Sequence, residues 1–156
     1  MDVDGDGADD VMVLTGGFAP VPFNDVWVTE GAFNPATNDV CSPEAGGPTE
    51  CRMHWSLVGE APWSVRGWHT ANVFGGRLYV IGGTPLNNDV FSANFTKQSP
   101  MDGETVNRYS MSWTRHTAPT EGHIFSPRSA HAVIVHDQRA VANGKETMLL
   151  LGGYGR

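Results

Sequence analysis

Apolar residues in this chain come in short runs that end abruptly at glycine, proline or asparagine, and no stretch sustains the 3.6-residue apolar period of an amphipathic helix. Runs such as Val11-Met-Val-Leu-Thr, Leu78-Tyr-Val-Ile and Met148-Leu-Leu-Leu have the length and the Val, Leu and aromatic content of half-buried strands, with turn residues on either side. The pattern predicts an all-β fold of antiparallel strands, with helices nearly absent.

Three of the runs close on a glycine pair, at Gly16-Gly17, Gly82-Gly83 and Gly152-Gly153. The interval from Gly17 to Gly83 is 66 residues and that from Gly83 to Gly153 is 70. Other features return between the pairs in the same order. Asn24-Asp-Val-Trp27 recurs as Asn88-Asp-Val-Phe91, Trp55 as Trp113, and Arg66-Gly-Trp-His69 as Arg128-Ser-Ala-His131. Four features in one order define an internal repeat, and repeats at this spacing mean that each unit is one small sheet stacked on the next.

On these motifs the chain resembles the kelch repeat family, over nearly its whole length. The resemblance implies β-propeller blades of four antiparallel strands, with a glycine pair after the second strand, an Asp-Val start to the third, a Trp on the fourth and Arg-x-x-His opening the next blade. On that reading residues 1–59 form a blade lacking its first strand, 66–117 a complete blade and 128–156 the first two strands of a third. The spacing exceeds the roughly 50 residues usual for kelch, and the excess falls in insertions at 31–53 and 97–110. Nine strands do not close a ring of four to eight blades. The expectation is an incomplete ring, completed by more of the same polypeptide or by other chains. Trp27, Trp55 and Trp113, with His69 and His131 at equivalent repeat positions, read as packing residues.

Composition narrows the partners. A formal net charge of -7 with ten Lys and Arg leaves no basic stripe for nucleic acid or anionic lipid, and no apolar run approaches the roughly 18 residues of a spanning helix. Met1 to Asp10 lacks the plan of a signal peptide, so the protein is cytoplasmic or its natural N-terminus lies upstream. Asp2-Val-Asp-Gly-Asp-Gly-Ala-Asp-Asp10 places acidic oxygens at alternate positions among glycines, as loops around a hard cation do. It matches the first half of an EF-hand loop but has Val13 where that loop needs its bidentate Glu. It is more similar to the calcium loops of FG-GAP-type propeller repeats. That resemblance implies Ca²⁺ held by Asp2, Asp4, Asp6 and Asp10 with the carbonyl of Ala8, against the simpler reading of a solvated acidic turn.

Cys41 and Cys51 both lie in the first insertion, where a local disulfide stands against two free thiols. Closing that loop is worth about 2.5 to 3 kcal/mol on a chain-entropy basis. Asn94-Phe-Thr96 is an N-glycosylation sequon. Calcium loop, cysteine pair and sequon together point to an extracellular or secretory location. Antiparallel connectivity puts the insertions on one face of the blades and 18–24, 60–65, 84–88 and 118–127 on the other. On that second face Trp63, His123 and Phe125 are the candidate binding residues. No nucleophile elbow, phosphate loop or carboxylate pair stands at motif spacing. The leading function class is a non-enzymatic module binding protein or glycan. A structural subunit of a larger assembly is the alternative. A fragment of an oxidase-like kelch enzyme, resembling galactose oxidase, is the third.

Overall fold

The computed structural model describes Met1, 11–30, 32–33, 52–102, 107–116, 124–136 and 145–155. The strands in chain order are β1 (Met12–Phe18), β2 (Pro22–Thr29), β3 (Ala32–Phe33), β4 (Arg52–Met53), β5 (Ser56–Glu60), β6 (Thr70–Phe74), β7 (Arg77–Ile81), β8 (Val90–Gln98), β9 (Arg108–His116), β10 (Arg128–Ser129), β11 (Ala132–His136), β12 (Thr147–Leu151) and β13 (Tyr154–Gly155). The fold is all-β, with no helix among the described residues. Three antiparallel sheets carry it: β1-β2-β5, β6-β7-β8-β9 and β11-β12, with the short pairs β3-β4 and β10-β13 beside them.

Period-two alternation decides which side chains are buried. Register places Val73, Leu78, Ala93 and Trp113 in one row across the four-stranded sheet, next to the row Ala71, Val80, Phe91 and Arg115. Leu78, Val80, Phe91, Ala93 and Phe95 pack with Val26 and Val28 of β2 in a single core, flanked by Val13, Val58, Tyr109, Met111 and Trp113. The opposite faces of the outer sheets are apolar and open. Met12, Leu14 and Leu57 are 50 to 56% exposed on the first sheet, and Ile134, Leu149 and Leu151 are 47 to 50% exposed on the third.

The sheets are stitched by the Arg-x-x-His segments. Arg66 joins the first sheet through its backbone, its N–H donating to the Phe23 carbonyl (2.9 Å) and its carbonyl accepting from the Gly17 N–H (3.1 Å). Its side chain joins the second sheet. Nη1 donates to the Gly82 carbonyl (2.9 Å), and the guanidinium fork meets both oxygens of Asp89 at 2.5 and 2.9 Å. Arg66 is 1% exposed, so the charge is desolvated and held by a paired carboxylate. Arg128 repeats the backbone half between the second and third sheets, with its carbonyl accepting from the Gly83 N–H (2.9 Å) and its N–H donating to the Asn87 carbonyl (3.0 Å).

The glycine pairs exist to let these segments in. A Cβ on Gly82 would stand 2.8 Å from the Arg128 carbonyl oxygen and 2.9 Å from the His131 ring, and its φ of +61° is one that side chains rarely adopt. Gly16 and Gly152, at the same place in their repeats, have φ of 48° and 64°. His69 and His131 fill the space beside the glycines, and their Nε2 atoms meet the hydroxyls of Thr15 (2.9 Å) and Thr70 (3.1 Å).

Two outcomes follow from the junctions. Arg66→Ala or Asp89→Asn should lower unfolding stability by about 3–5 kcal/mol by leaving one buried partner uncompensated, whereas Arg128→Ala, which meets no carboxylate among the described residues, should cost under about 1 kcal/mol in chemical denaturation. His69 and His131 are both held below the ordinary histidine value, first by burial and then by the adjacent guanidinium of Arg66 or Arg128. The unfolded chain therefore takes up protons before the folded one does. This contribution to stability is full above about pH 6.5 and is lost as pH falls toward the lowered folded values. The thermal midpoint should drop on acidification through that range, and the slope should flatten in a His69→Gln, His131→Gln double variant.

Candidate binding face formed by the loop aromatics

The β1–β2 turn and the segment entering β6 lie side by side. Phe18 pairs with Pro22 across the turn, Phe23 bridges to Arg66, and the Gly67 backbone approaches Phe18 so closely that an added Cβ would sit 3.0 Å from the Phe18 Cβ. This juxtaposition assembles an exposed apolar group. Phe18 (59%) and Trp68 (61%) stack with ring centroids 5.9 Å apart and planes 18° from parallel, and Val21, Phe23 and Val65 on the same two segments are each more than 40% exposed.

Trp68 is held there by an uncommon backbone. Its φ is +53°, and Ala130, at the same place in the next repeat, has +52°. A residue with a Cβ in this region costs about 1–2 kcal/mol. The geometry is set by the junction itself, where the Trp68 carbonyl accepts from the Ala130 N–H at 2.9 Å and Gly67 exchanges hydrogen bonds with Thr84 at 3.1 and 2.8 Å. The repeat imposes the turn, and only this copy carries a large aromatic on it. The indole is thereby exposed, whereas Trp63 and Trp113 pack at the core and Trp27, expected as a packing residue, lies half-buried in register with the exposed Leu14 and Leu57.

The structure corrects one expectation on this face. Trp63, expected as an exposed loop aromatic, is 3% exposed. Its ring stands edge-on to Trp113 (4.5 Å between centroids) and tilted against Phe91 (5.5 Å), so it belongs to the core between the first two sheets. The connection from β5 folds inward because the Ala61 N–H donates to the Asn24 carbonyl at 2.7 Å and the Asn24 amide bonds the carbonyls of Ala61 and Trp63. Phe125 is half-buried, with the Arg128 guanidinium 5.9 Å from its ring centroid. His123 lies outside the described residues, as do Asp2, Asp4, Asp6, Ala8 and Asp10 of the acidic loop and Cys41 and Cys51. Asn94 is exposed on β8, on the side of the sheet opposite the row that holds Ala93.

A second, polar feature lies at the other end of the first two sheets. Glu30, just past β2, accepts hydrogen bonds from the Asn107 amide (2.7 Å) and the Tyr109 hydroxyl. With Val28, His54 and Ser56 they line a small, shallow cleft. It is on the side of the insertions and opposite the aromatic face. The chain matches no protein-family model, no curated protein and no solved structure.

Sequence reasoning passed over Trp68, although the signal was present. The repeats align Trp68 with Ala130, and a large aromatic standing where the companion repeat needs only a methyl group is not there for packing. Replacing Trp68 by Gly relieves the backbone cost and forfeits a stacking contact worth about 0.5–1.5 kcal/mol. The variant should therefore unfold within about 1 kcal/mol of the parent in urea, in contrast to Trp63→Ala, where removal of a buried indole costs about 3–5 kcal/mol.

Proposed function

We propose that this chain is a non-enzymatic interaction module made of kelch-type β-propeller blades, taking a protein or glycan ligand on the loop face around Phe18 and Trp68. The observation that carries the reading is the stacked, outward-facing aromatic pair held on a backbone conformation that is costly for Trp. The same backbone recurs at Ala130, so what sets this copy apart is the residue itself, a large exposed aromatic that adds little to the core and stands where the companion repeat has a methyl group. Flat aromatic surface with few rotatable bonds is also what recognition of sugar rings and apolar side chains uses. The four-stranded sheet, the repeated glycine turns and the Arg-x-x-His junctions support the kelch-type architecture.

The acidic segment from Asp2 to Asp10 fits this reading as a Ca²⁺ brace, and Cys41 with Cys51 as a clamp on the first insertion; both rest on the sequence. They go with an extracellular or secretory location, where Asn94 would carry glycan. A structural role in a multi-chain assembly is the second reading. The two open apolar faces, around Leu14 and Leu57 at one end and Leu149 and Leu151 at the other, favour it.

Glycan and protein arrays probed with the parent chain and with Trp68→Ala and Phe18→Ala test the binding reading. Ligands retained by the parent should bind each variant at least about tenfold more weakly, as expected for loss of a hot-spot aromatic. Retention of every ligand by both variants would sink it, and a chain that binds nothing yet forms large complexes would favour assembly.

A further inference from the structure

The β1–β2 turn and the segment entering β6 are both bordered by described strands, and their side chains are almost free of polar atoms. The first reads Gly17-Phe-Ala-Pro-Val-Pro-Phe23 and the second Ser64-Val-Arg-Gly-Trp68. The one charged side chain on them, Arg66, is 1% exposed and closed on Asp89. In a chain of formal net charge -7, a surface built from uncharged stretches is a local exception.

The main chain of these stretches is also largely engaged. The N–H groups of Gly17, Ala19 and Gly67 donate to the carbonyls of Arg66, Val21 and Thr84, and the carbonyls of Phe23, Gly67 and Trp68 accept bonds in turn. Pro20 and Pro22 have no N–H to give. The side-chain hydrogen-bonding groups left on the face are the Ser64 hydroxyl and the Trp68 indole N–H, and neither meets a partner among the described residues. A hydroxyl donates or accepts and an indole only donates, while no carboxylate or amide side chain stands on either stretch to receive a hydrogen bond.

This inventory separates the two ligand classes open to the face. A sugar ring carries hydroxyls that need acceptors as well as donors when they leave water, and leaving one unpaired is costly. A polyproline II segment is the converse case. Its carbonyls are unpaired and its prolines have no N–H, so it asks only for donors and apolar surface. It is also stiff before it binds, as Trp68 is beside the bonds between Gly67 and Thr84, so little freedom is lost on either side.

We infer that the face around Phe18 and Trp68 is a docking site for a proline-rich segment of a partner protein in the polyproline II conformation. Its prolines lie against the stacked rings and the exposed Val21 and Val65, and the Trp68 indole N–H donates to one of its carbonyls. Another protein supplies the segment because this chain has none to offer: no two of its ten prolines are adjacent, and the closest pair, Pro20 and Pro22, belongs to the face. The inference rests on the binding role proposed above and narrows its ligand from protein or glycan to one backbone conformation.

The test is a fluorescence-anisotropy titration of the intact chain with labelled oligoproline, alongside a labelled Gly-Ser peptide of the same length and a labelled cello-oligosaccharide. Saturable binding of oligoproline alone is expected, changed by less than about twofold between low and high salt because no ion pair forms. Trp68→Ala places on this turn the residue that Ala130 carries on the same backbone, and should weaken binding at least about tenfold. Trp68→Phe keeps a ring and loses the N–H, and should weaken it about fivefold, the worth of one hydrogen bond. The Gly-Ser control leaves the protein untouched, so misfolding cannot imitate that difference. Absence of oligoproline binding overturns the inference, as does binding unchanged in either variant, equal binding of the Gly-Ser peptide, or Trp68-dependent binding of the oligosaccharide. If oligoproline fails while the arrays still yield ligands that depend on Trp68, the binding role stands and only its proline-rich ligand is rejected; failure of both rejects both.

Discussion

A buried guanidinium that belongs to two sheets at once is the constraint on which the arrangement of this chain depends. The main chain of Arg66 is held by Gly17 and Phe23 of the first sheet, while its fork is held by Gly82 and Asp89 of the second. Removing such a charge from water is expensive, and it is tolerated only where several acceptors are fixed in place beforehand. The glycine turn supplies one carbonyl, the Asp-Val strand start supplies the carboxylate, and the positions of both are set by β-pairing within their sheet. Sheet order and junction geometry are therefore mutually dependent, and the hydrophobic contacts between Val26, Val28, Leu78, Val80 and Phe91 form on a frame that this junction sets.

That dependence explains why the glycine pairs, the histidines and the positive-φ residues recur together. An Arg passing between sheets brings its backbone within 2.8 to 3.2 Å of where a Cβ would be at Gly16 and Gly82, so only glycine admits it. The chain must then turn sharply to enter the next sheet, which puts Trp68 and Ala130 at φ near +50°. His69 and His131 follow the turn and pack against the same glycines, where burial lowers their pKa from the ordinary histidine value. The motif Arg-x-x-His is thus one mechanical unit rather than four separate choices.

Much of this was legible in the sequence because its determinants are local. Strands announce themselves by alternation and by the turn residues that bound them, and the glycine pairs mark close approach of two backbones without any knowledge of which two. The bond between Arg66 and Asp89 was not legible, although both residues stood out in the repeat, because 23 residues and a hairpin separate them and spacing alone does not say which side chains converge. Trp63 was misplaced for a related reason. A tryptophan in a connection between strands looks exposed until Asn24 is seen to draw that connection onto the core. Trp68 carried the opposite lesson, since its neighbour His69 read as a packing residue and only comparison with Ala130 sets the exposed position apart.

The stacked pair of Phe18 and Trp68 sits at a distinctive point in this mechanical scheme. It grows from the junction that is hardest to deform, because Gly67 is bonded to Thr84 on one side and Arg66 is locked to Asp89 on the other. A side chain on such a base loses little further freedom when a ligand covers it, so less of the contact energy is lost to ordering. The Glu30 cleft differs in kind, since its carboxylate is already engaged by Asn107 and Tyr109 and its lining comes from strand ends beside the insertions. Rigidity of the base, exposure of the rings and separation from the core are the features on which the proposed binding role of the aromatic face rests.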